Sequence, residues 1–273
     1  MLGRHPAVVP INEPLIGWYL GPFLCDLPGF SASALDLSNF TLRRVQLEKR
    51  DQFFAHEFRD IWKPDLARMM RRRFHAHASS ADSPVPPSER SVVIKEPNGS
   101  QSADLIMSAL PRARLLFLLR DGRDVVDSEL AANQTGSWVS RGFPGVSGID
   151  PHDRREFIVQ SAHKWLWRTE VVQQAYREHR GPKLLVRYED LLADPHRHAR
   201  AIFDWLELEI TDEHLGDLIA ETGFEQMPEQ ERGADRFFRA ASPGLWRENL
   251  SAEEQAALME VVGSKLSELE YDV

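Results

Sequence analysis

The clearest pattern of apolar and polar positions lies at residues 115–130, which read LLFLLRDGRDVVDSEL. The near-continuous apolar start predicts a buried strand, the Asp-Gly pair predicts a turn, and the spacing that follows predicts a helix from about Asp124. A strand, turn and helix in this order are typical of a parallel α/β sheet, whose ligands bind at the carboxyl ends of strands. Arg120 at the strand end and Ser128 in the early helix therefore predict an anion site. In a second interpretation the segment is scaffold, and Arg120 pairs with Asp124 or Asp127.

Three further apolar segments predict strands, at Ala7–Ile11, Ser91–Lys95 and Lys183–Arg187. Helical patterns separate them, and the alternation predicts an α/β fold with a doubly wound parallel sheet flanked by helices. We expect one domain that spans residues 1–273. The predicted helices are, in chain order, Gln46 to His77, which Pro64 can break; Ser102 to Leu110; a long helix begun by Asp150 and Pro151; a helix begun by Asp194 and Pro195; and a last helix with a Ser251 and Glu254 capping box.

Apolar residues at helical spacing predict which face of each helix enters the core. Three helices carry such a face. The residues are Phe53, Phe54, Phe58, Ile61 and Trp62 in the first, Ile158, Ala162, Trp165 and Val172 in the second, and Ile202, Phe203 and Leu206 in the third.

The charge of the chain narrows the classes of partner. The net charge of −9 argues against a general nucleic-acid binder or a general anionic-membrane binder, because such surfaces select basic proteins. An anionic ligand must therefore meet locally placed Arg and Lys. One such cluster is the run Arg71 to Arg73, which is either a solvated helix face or a substrate-binding patch.

Cysteine content and hydropathy bear on location. The single cysteine, Cys25, excludes an intramolecular disulfide and a cysteine-based zinc site, and it favours a reducing compartment. No apolar run reaches the length that a membrane span needs, and the start of the chain lacks the regions of a secretory signal. We therefore expect a cytoplasmic protein. The oligomeric state has no signal in the sequence.

The segment 131–153 is long and rich in Gly and Ser. Loops of this length are typically lids, binding loops or disordered segments. Trp138, Arg141 and Phe143 are candidate contacts for a substrate, and a mobile surface loop is the alternative.

Four segments resemble, in order and spacing, the sulfotransferases that use 3′-phosphoadenosine 5′-phosphosulfate (PAPS). The resemblance runs from Gly3 to Leu250 and is greatest with the tyrosylprotein and bacterial branches. It implies a P-loop-like fold and transfer of a sulfuryl group from PAPS to a hydroxyl of a small molecule, lipid or glycan, without a metal, leaving 3′-phosphoadenosine 5′-phosphate (PAP). The segments are IKEP at 94–97, FLLRDGRDVVDS at 117–128, VRYEDLLADP at 186–195 and FFRAASPGLWRENLS at 237–251.

The resemblance also implies which residues hold the nucleotide. Arg120 and Ser128 match the pair that binds the 3′-phosphate, in agreement with the anion site argued from the pattern. Arg239 matches an arginine that reaches the same phosphate, although the Lys-Gly that follows it in the family is replaced here by 240–241, both Ala. Tyr188 matches a tyrosine near the nucleotide.

Other positions match family segments around the adenine and the nucleotide. The resemblance implies that the Thr222 hydroxyl contacts the edge of the adenine base and that the Phe224 ring stacks on the base. A core position is the alternative for Phe224. Glu189 and Asp190 could suggest Mg²⁺, but the family needs no metal, and we interpret both as capping and structural groups. The Gly-x-Trp at 244–246 implies a structural role.

The resemblance also implies that two charged residues take part in the reaction. Lys95 matches the family lysine that stabilises the phosphate oxygen from which sulfur departs. The acceptor hydroxyl also needs a base. The histidine that the cytosolic branch uses is replaced by Pro97, but HPAVVPINEP at 5–14 resembles the segment that supplies a glutamate in other branches, and this nominates Glu13. Glu96 is the runner-up, although strand alternation points it away from Lys95.

One family feature is missing from the sequence. No GxxxxGK[ST] or PRSGTT-like loop occurs, although the family uses such a loop to hold the 5′-phosphosulfate. The strand before that loop lies, in the family, between the strands that end here at Lys95 and Arg120. Two interpretations fit: the chain is a truncated version of a longer sulfotransferase, or it is a divergent member that binds nucleotide poorly.

Two other classes of function compete with the sulfotransferase. One is a non-catalytic nucleotide-binding or interaction protein of the same fold. The other is a kinase or related phosphotransferase, which the missing P-loop lysine disfavours.

Overall fold

The computed structural model describes residues 1–17, 49–142, 148–226 and 242–273, together with Glu229 and Gly233. The predicted α/β class is confirmed. Strand β1 (Val8–Asn12) pairs in parallel with β2 (Ser91–Lys95). Their register places Val8 opposite Ser91 and Asn12 opposite Lys95, so both strands end side by side.

The other two described strands form a second sheet. Strand β3 (Leu115–Leu119) lies beside β4 (Lys183–Arg187), and the Leu115 amide donates to the Pro182 carbonyl at 2.9 Å. The start of one strand thus meets the start of the other, as in a parallel pair. No ladder joins β2 to β3 among the described strands.

The predicted helices occur in the predicted order, with small differences at their ends except in the first. That helix is predicted from Gln46 but begins at Arg59, since the described residues 49–54 form turns and bends. Among the described helices, none combines the length and the hydropathy of a membrane span. They are α1 (Arg59–Ser80), α2 (Ala103–Ala109), α3 (Gly122–Ala132), α4 (Trp138–Gly142), α5 (Arg154–Glu178), α6 (Tyr188–Ala193), α7 (Pro195–Leu206), α8 (Asp212–Thr222), α9 (Trp246–Asn249) and α10 (Ala252–Glu268).

The chain divides into two compact units, and the division falls within β3, β4, α5 and α7. The first unit contains the sheet of β1 and β2, and the second contains α3 and the last two helices. The first consists of Met1–Phe117, Arg168–Leu185 and Arg200–Thr211, and the second of Leu118–Trp167, Val186–Ala199 and Asp212–Val273.

Helix α1 corrects two predictions. It runs through Pro64 without a break, because Pro64 lies in the second turn, where it removes one backbone hydrogen bond while the buried face on both sides holds the helix in place. Phe53 and Ile61, predicted in the core, are exposed. The core face of α1 is instead rotated relative to the predicted face, and it packs with Leu105 and Ala109 of α2. That face consists of Trp62, Leu66, Ala67 and Met70.

The predicted faces of α5 and α7 are largely confirmed. Ile158, Ala162 and Trp165 are buried, but Val171 replaces the half-buried Val172 as the next core residue. In α7 the two buried residues are 202–203, Ile and Phe, whereas the third predicted residue of that face is half-buried.

Two predicted caps are present. The Asp150 carboxylate accepts the His152 amide at 2.9 Å, before a short 3-10 turn that leads into α5. Ser251 and Glu254 form a complete capping box at the start of α10.

Candidate functional site

A tight turn carries Arg120 to the end of β3. Helix α3 begins at Gly122, two residues before the predicted Asp124, because the Asp121 carboxylate caps it by accepting the Arg123 amide at 2.8 Å. A side chain at Gly122 has no room, since a Cβ there would lie 2.6 Å from the Trp165 ring. The close contact between the start of α3 and this ring therefore requires glycine at position 122.

Arg120 meets Tyr188 at this point. The guanidinium carbon lies 4.7 Å from the centre of the Tyr188 ring, and Tyr188 is the first residue after β4. The Nε of Arg120 is buried and has no hydrogen-bond partner among the described residues. Buried polar groups almost always have a partner, and an exception calls for an explanation. An anionic ligand that supplies an acceptor is such an explanation.

A buried network lies behind Arg120. Arg123 makes an ion pair with Asp121 at 2.8 Å, with side chains only 4% and 9% exposed, and its guanidinium stacks over Trp246 at 4.6 Å. The Asp124 carboxylate accepts the Gly244 amide at 2.9 Å. Gly244 has φ +90°, a conformation that glycine adopts without strain. The Gly-x-Trp segment is thus tied to α3, in keeping with the predicted structural role.

The charge of Asp124 is affected by this burial. Loss of solvent raises the pKa of the Asp124 carboxyl above its ordinary value, while the bond from Gly244 and the positive charge of Arg120 oppose the rise. Asp127 accepts a hydrogen bond from the Asn249 side chain at 3.0 Å. Both carboxylates that the scaffold interpretation offered to Arg120 therefore have partners from the last part of the chain.

Glu189 has a structural position, in keeping with the prediction. One of its carboxylate oxygens accepts the Asp121 amide at 2.9 Å and the other accepts the Tyr271 hydroxyl at 3.2 Å. Burial, together with the negative charge of Glu189, raises the pKa of Tyr271. The group therefore links the end of β3 to the end of the chain.

The remaining predicted nucleotide contacts lie on other elements or outside the described residues. Ser128 is half-buried on α3. Thr222 is the last residue of α8, and its hydroxyl donates to the Leu218 carbonyl at 2.6 Å. Phe224 is half-buried in the following 3-10 turn. Arg239 lies outside the described residues, as do the neighbouring positions 240–241, the start of the first predicted helix and Phe143; Trp138 and Arg141 belong to α4.

The first unit brings Glu13 and Lys95 together. The Glu13 amide donates to the Lys95 carbonyl at 2.7 Å, which extends the ladder one residue beyond β1. The side chains then form an ion pair, with Lys95 Nζ 3.1 Å from Glu13 Oε1. They are 57% and 36% exposed, respectively, so both groups are accessible to a substrate. Glu13 has φ +50°, in the left-handed region.

Asn98 and Arg168 complete this arrangement. The Asn98 side-chain amide donates to Glu13 Oε2 at 2.9 Å, and the Arg168 guanidinium donates to the Asn98 carbonyl at 3.1 Å. Glu13 is therefore held through both carboxylate oxygens. Neither residue was predicted from the sequence. Asn98 could have been found from its place three residues after Lys95, but Arg168 is 70 residues away along the chain and carries no local signal.

Glu96 faces another way. Its Oε1 accepts the Gly17 amide at 3.3 Å, and a Cβ on Gly99 would lie 1.7 Å from the same oxygen. Burial raises the pKa of Glu96, and hydrogen bonds from the amides of residues 15–17 oppose the rise. Glu96 thus anchors the turn after Glu13, which favours Glu13 over Glu96 as the group that faces a substrate.

Comparison with known proteins gives a family and several distant structures. The model of the sulfotransferase family matches residues 1–212. Among solved structures, a mouse sulfotransferase complexed with PAP is 13% identical, covering 67% of each chain with a TM-score of 0.49. Retinol dehydratase with androsterone and inactive cofactor PAP is 19% identical, covering 98% of this chain and 82% of its own, with a TM-score of 0.47.

A second structure of retinol dehydratase, with retinol and PAP, is 18% identical over 98% of this chain and 83% of its own, with a TM-score of 0.46. No curated protein matches the chain. Because the structural similarities are this low, the assignment rests on the family match.

Proposed function

Because the chain belongs to the sulfotransferase family, we propose that it transfers a sulfuryl group from PAPS to a hydroxyl of a small-molecule, lipid or glycan acceptor. PAP is the second product, and no metal is required. The observation that carries the proposal is the buried Nε of Arg120 at the end of a strand, a cationic donor that has no acceptor within the described part of the chain. The single cysteine supports action in a reducing compartment such as the cytoplasm.

The second unit supplies the proposed 3′-phosphate site. Arg120 donates to phosphate oxygens, and the Tyr188 ring keeps the guanidinium in place from the other side. Ser128 donates its hydroxyl, and Arg239 is assigned to the same phosphate by the resemblance. Thr222 retains a role at the adenine, because its oxygen can still accept a hydrogen bond from the base while its proton is bound to Leu218.

Phe224 is the proposed stacking partner of the adenine. Its half-buried position leaves part of the ring accessible, as a stacking residue requires, and fits a core residue less well.

The first unit supplies the proposed chemical groups. PAPS provides the sulfuryl group, whose bond to the 5′-phosphate oxygen breaks as the acceptor oxygen bonds to sulfur. Glu13 takes the proton of the acceptor hydroxyl. Lys95 stabilises the negative charge that grows on the departing phosphate oxygen. Without an acceptor, Lys95 and Glu13 neutralise each other's charge. When the acceptor binds, its hydroxyl replaces Lys95 as a hydrogen-bond partner of Glu13.

Two measurements test the proposal. The first is transfer of radiolabelled sulfate from PAPS to a panel of sterols, phenols and glycans. The second is calorimetry with PAP, in which Arg120→Ala should weaken binding by about 1.5 to 3 kcal/mol, or roughly 10- to 150-fold, the scale of a charged hydrogen bond. Arg180→Ala, which removes an exposed arginine, is the matched control. Equal affinity of wild type and Arg120→Ala would contradict the assignment.

The same assays separate the competing functions. PAP binding without sulfate transfer, even at high protein concentration, would support a non-catalytic nucleotide-binding or interaction protein. ATP-dependent phosphorylation of the panel would support a phosphotransferase.

A further inference from the structure

Helix α1 concentrates positive charge in an acidic protein. It carries six basic residues and two acidic residues, whereas the whole chain has a net charge of −9. The arginines at 71–73 are exposed. The helix dipole does not account for them, because its effect is confined to the last turn and the basic residue of that turn is His77.

The outward face of α1 also exposes apolar side chains. Its inward face is fixed in the core, so the opposite side is presented in one orientation. Ile61, Arg68 and Arg72 follow one another at spacings of seven and four, which places them on one outward stripe. Met69 borders this stripe. The exposed fractions of the two apolar residues are 68% for Ile61 and 60% for Met69.

The arginines of α1 differ in their partners. Arg68 pairs with Asp65 on the same helix, and Arg71 donates to the Ala109 carbonyl at 3.1 Å. Arg72 and Arg73 are exposed and have no ion pair among the described residues. They are therefore free to bind anions outside the protein.

We propose that the exposed face of α1 binds the surface of a lipid bilayer that carries anionic headgroups. The arginines bind the headgroups, and the apolar side chains of Ile61 and Met69 enter the boundary between headgroups and acyl chains. A nucleic acid or other polyanion would satisfy the arginines, but it would leave the apolar residues in water. The acidic remainder of the chain would be repelled by the same bilayer, so the contact is confined to this face. A contact confined to this face allows a protein of net negative charge to bind an anionic membrane.

Sedimentation with vesicles tests this proposal. The full chain should bind vesicles of equal parts phosphatidylglycerol and phosphatidylcholine, and not vesicles of phosphatidylcholine alone. Arg72→Glu with Arg73→Glu should lower the partition coefficient at least about 25-fold, since each cation near an anionic surface contributes about five-fold. Added salt should weaken wild-type binding. Circular dichroism and thermal unfolding check that each variant is folded, and Arg72→Ala with Arg73→Ala gives a milder test.

Two further variants define the surface. Arg180→Glu with Arg197→Glu makes the same change in net charge at exposed arginines elsewhere and should leave binding intact. Ile61→Ser with Met69→Ser should weaken vesicle binding while binding to heparin is unchanged. Equal binding to neutral and anionic vesicles, equal loss in the two charge-reversed pairs, or no effect of the serine pair on vesicle binding would each overturn the proposal; the last result would indicate a soluble polyanion.

Discussion

Two ion pairs among the described residues, one in each unit, are built in opposite ways. In the first unit, Lys95 and Glu13 form an ion pair that is half exposed to solvent. In the second, Arg123 and Asp121 form an ion pair that is almost entirely buried and stacks on an aromatic ring. Exposed pairs contribute little to stability, whereas breaking a buried pair leaves an uncompensated charge in the protein interior. In the proposed function these two pairs have different tasks: the exposed pair changes partners during the reaction, and the buried pair keeps the neighbouring Arg120 in position.

The largest expected effect tests whether the exposed pair of Lys95 and Glu13 takes part in the reaction. Glu13→Gln removes the proposed base and should lower the rate of sulfate transfer by about 10² to 10⁴-fold, the range for loss of general base catalysis. PAP affinity should stay the same, because Glu13 does not bind the product nucleotide in this proposal. Steady-state transfer assays and calorimetry give the two values.

Glu96→Gln is the matched control for this variant. It makes the same chemical change at a neighbouring carboxylate that anchors the turn after Glu13. If Glu96→Gln lost as much activity as Glu13→Gln, the assignment of Glu13 as the base would fail.

The next effect compares the stability of the two pairs. Arg123→Ala leaves Asp121 charged and buried, and it should lower the free energy of unfolding by about 3 to 5 kcal/mol. Lys95→Ala should cost less than about 1 kcal/mol, because Glu13 remains accessible to water. Urea unfolding at neutral pH measures both. Equal losses would remove the contrast between the arrangements.

A smaller effect is expected at the ring beneath Arg120. Tyr188→Leu removes the aromatic face and should raise the Kd for PAP by about 2- to 30-fold, the equivalent of a cation–π contact of 0.5 to 2 kcal/mol. Tyr188→Phe keeps the face and should bind within about two-fold of wild type. Calorimetry that found the two variants equally impaired would point instead to the Tyr188 hydroxyl.

The smallest effect concerns pH. Because burial raises the folded-state pKa of Glu96, the unfolded chain releases this proton at lower pH than the folded protein. Stability from this group is therefore present below the ordinary pKa of 4.5 and is lost as pH rises through the folded value. The difference in the free energy of unfolding between wild type and Glu96→Gln should therefore fall as the pH rises above 4.5. A difference that rose with pH would contradict the stated direction.

Predictions that depend on residues close together in the chain were confirmed. Strands β2 and β4 match their predicted residues in full, and the capping box of α10 is present, because each depends on residues close together in the chain. Arg120 and Tyr188 lie together because each follows directly after one of two neighbouring strands.

The errors arose where distant residues decide the outcome. Ile61 fits an apolar face by spacing, but the position of α2 determines which side of α1 is covered. The contact of Asn98 with Glu13 joins residues 85 apart in the chain, and no periodicity encodes it. The start of α3 moved because a side chain, Asp121, caps the helix earlier than the apolar spacing indicated.

The left-handed backbone of Glu13 has a consequence for selection. A residue with a Cβ at φ +50° costs roughly 1 to 2 kcal/mol relative to glycine, which adopts this region freely. A laboratory screen for heat resistance at position 13 would therefore enrich Gly or Asn, and in doing so would discard the carboxylate. If Glu13 is the base, the winners of such a screen would be the most stable variants and the least active, so stability and turnover would trade off at a single backbone angle.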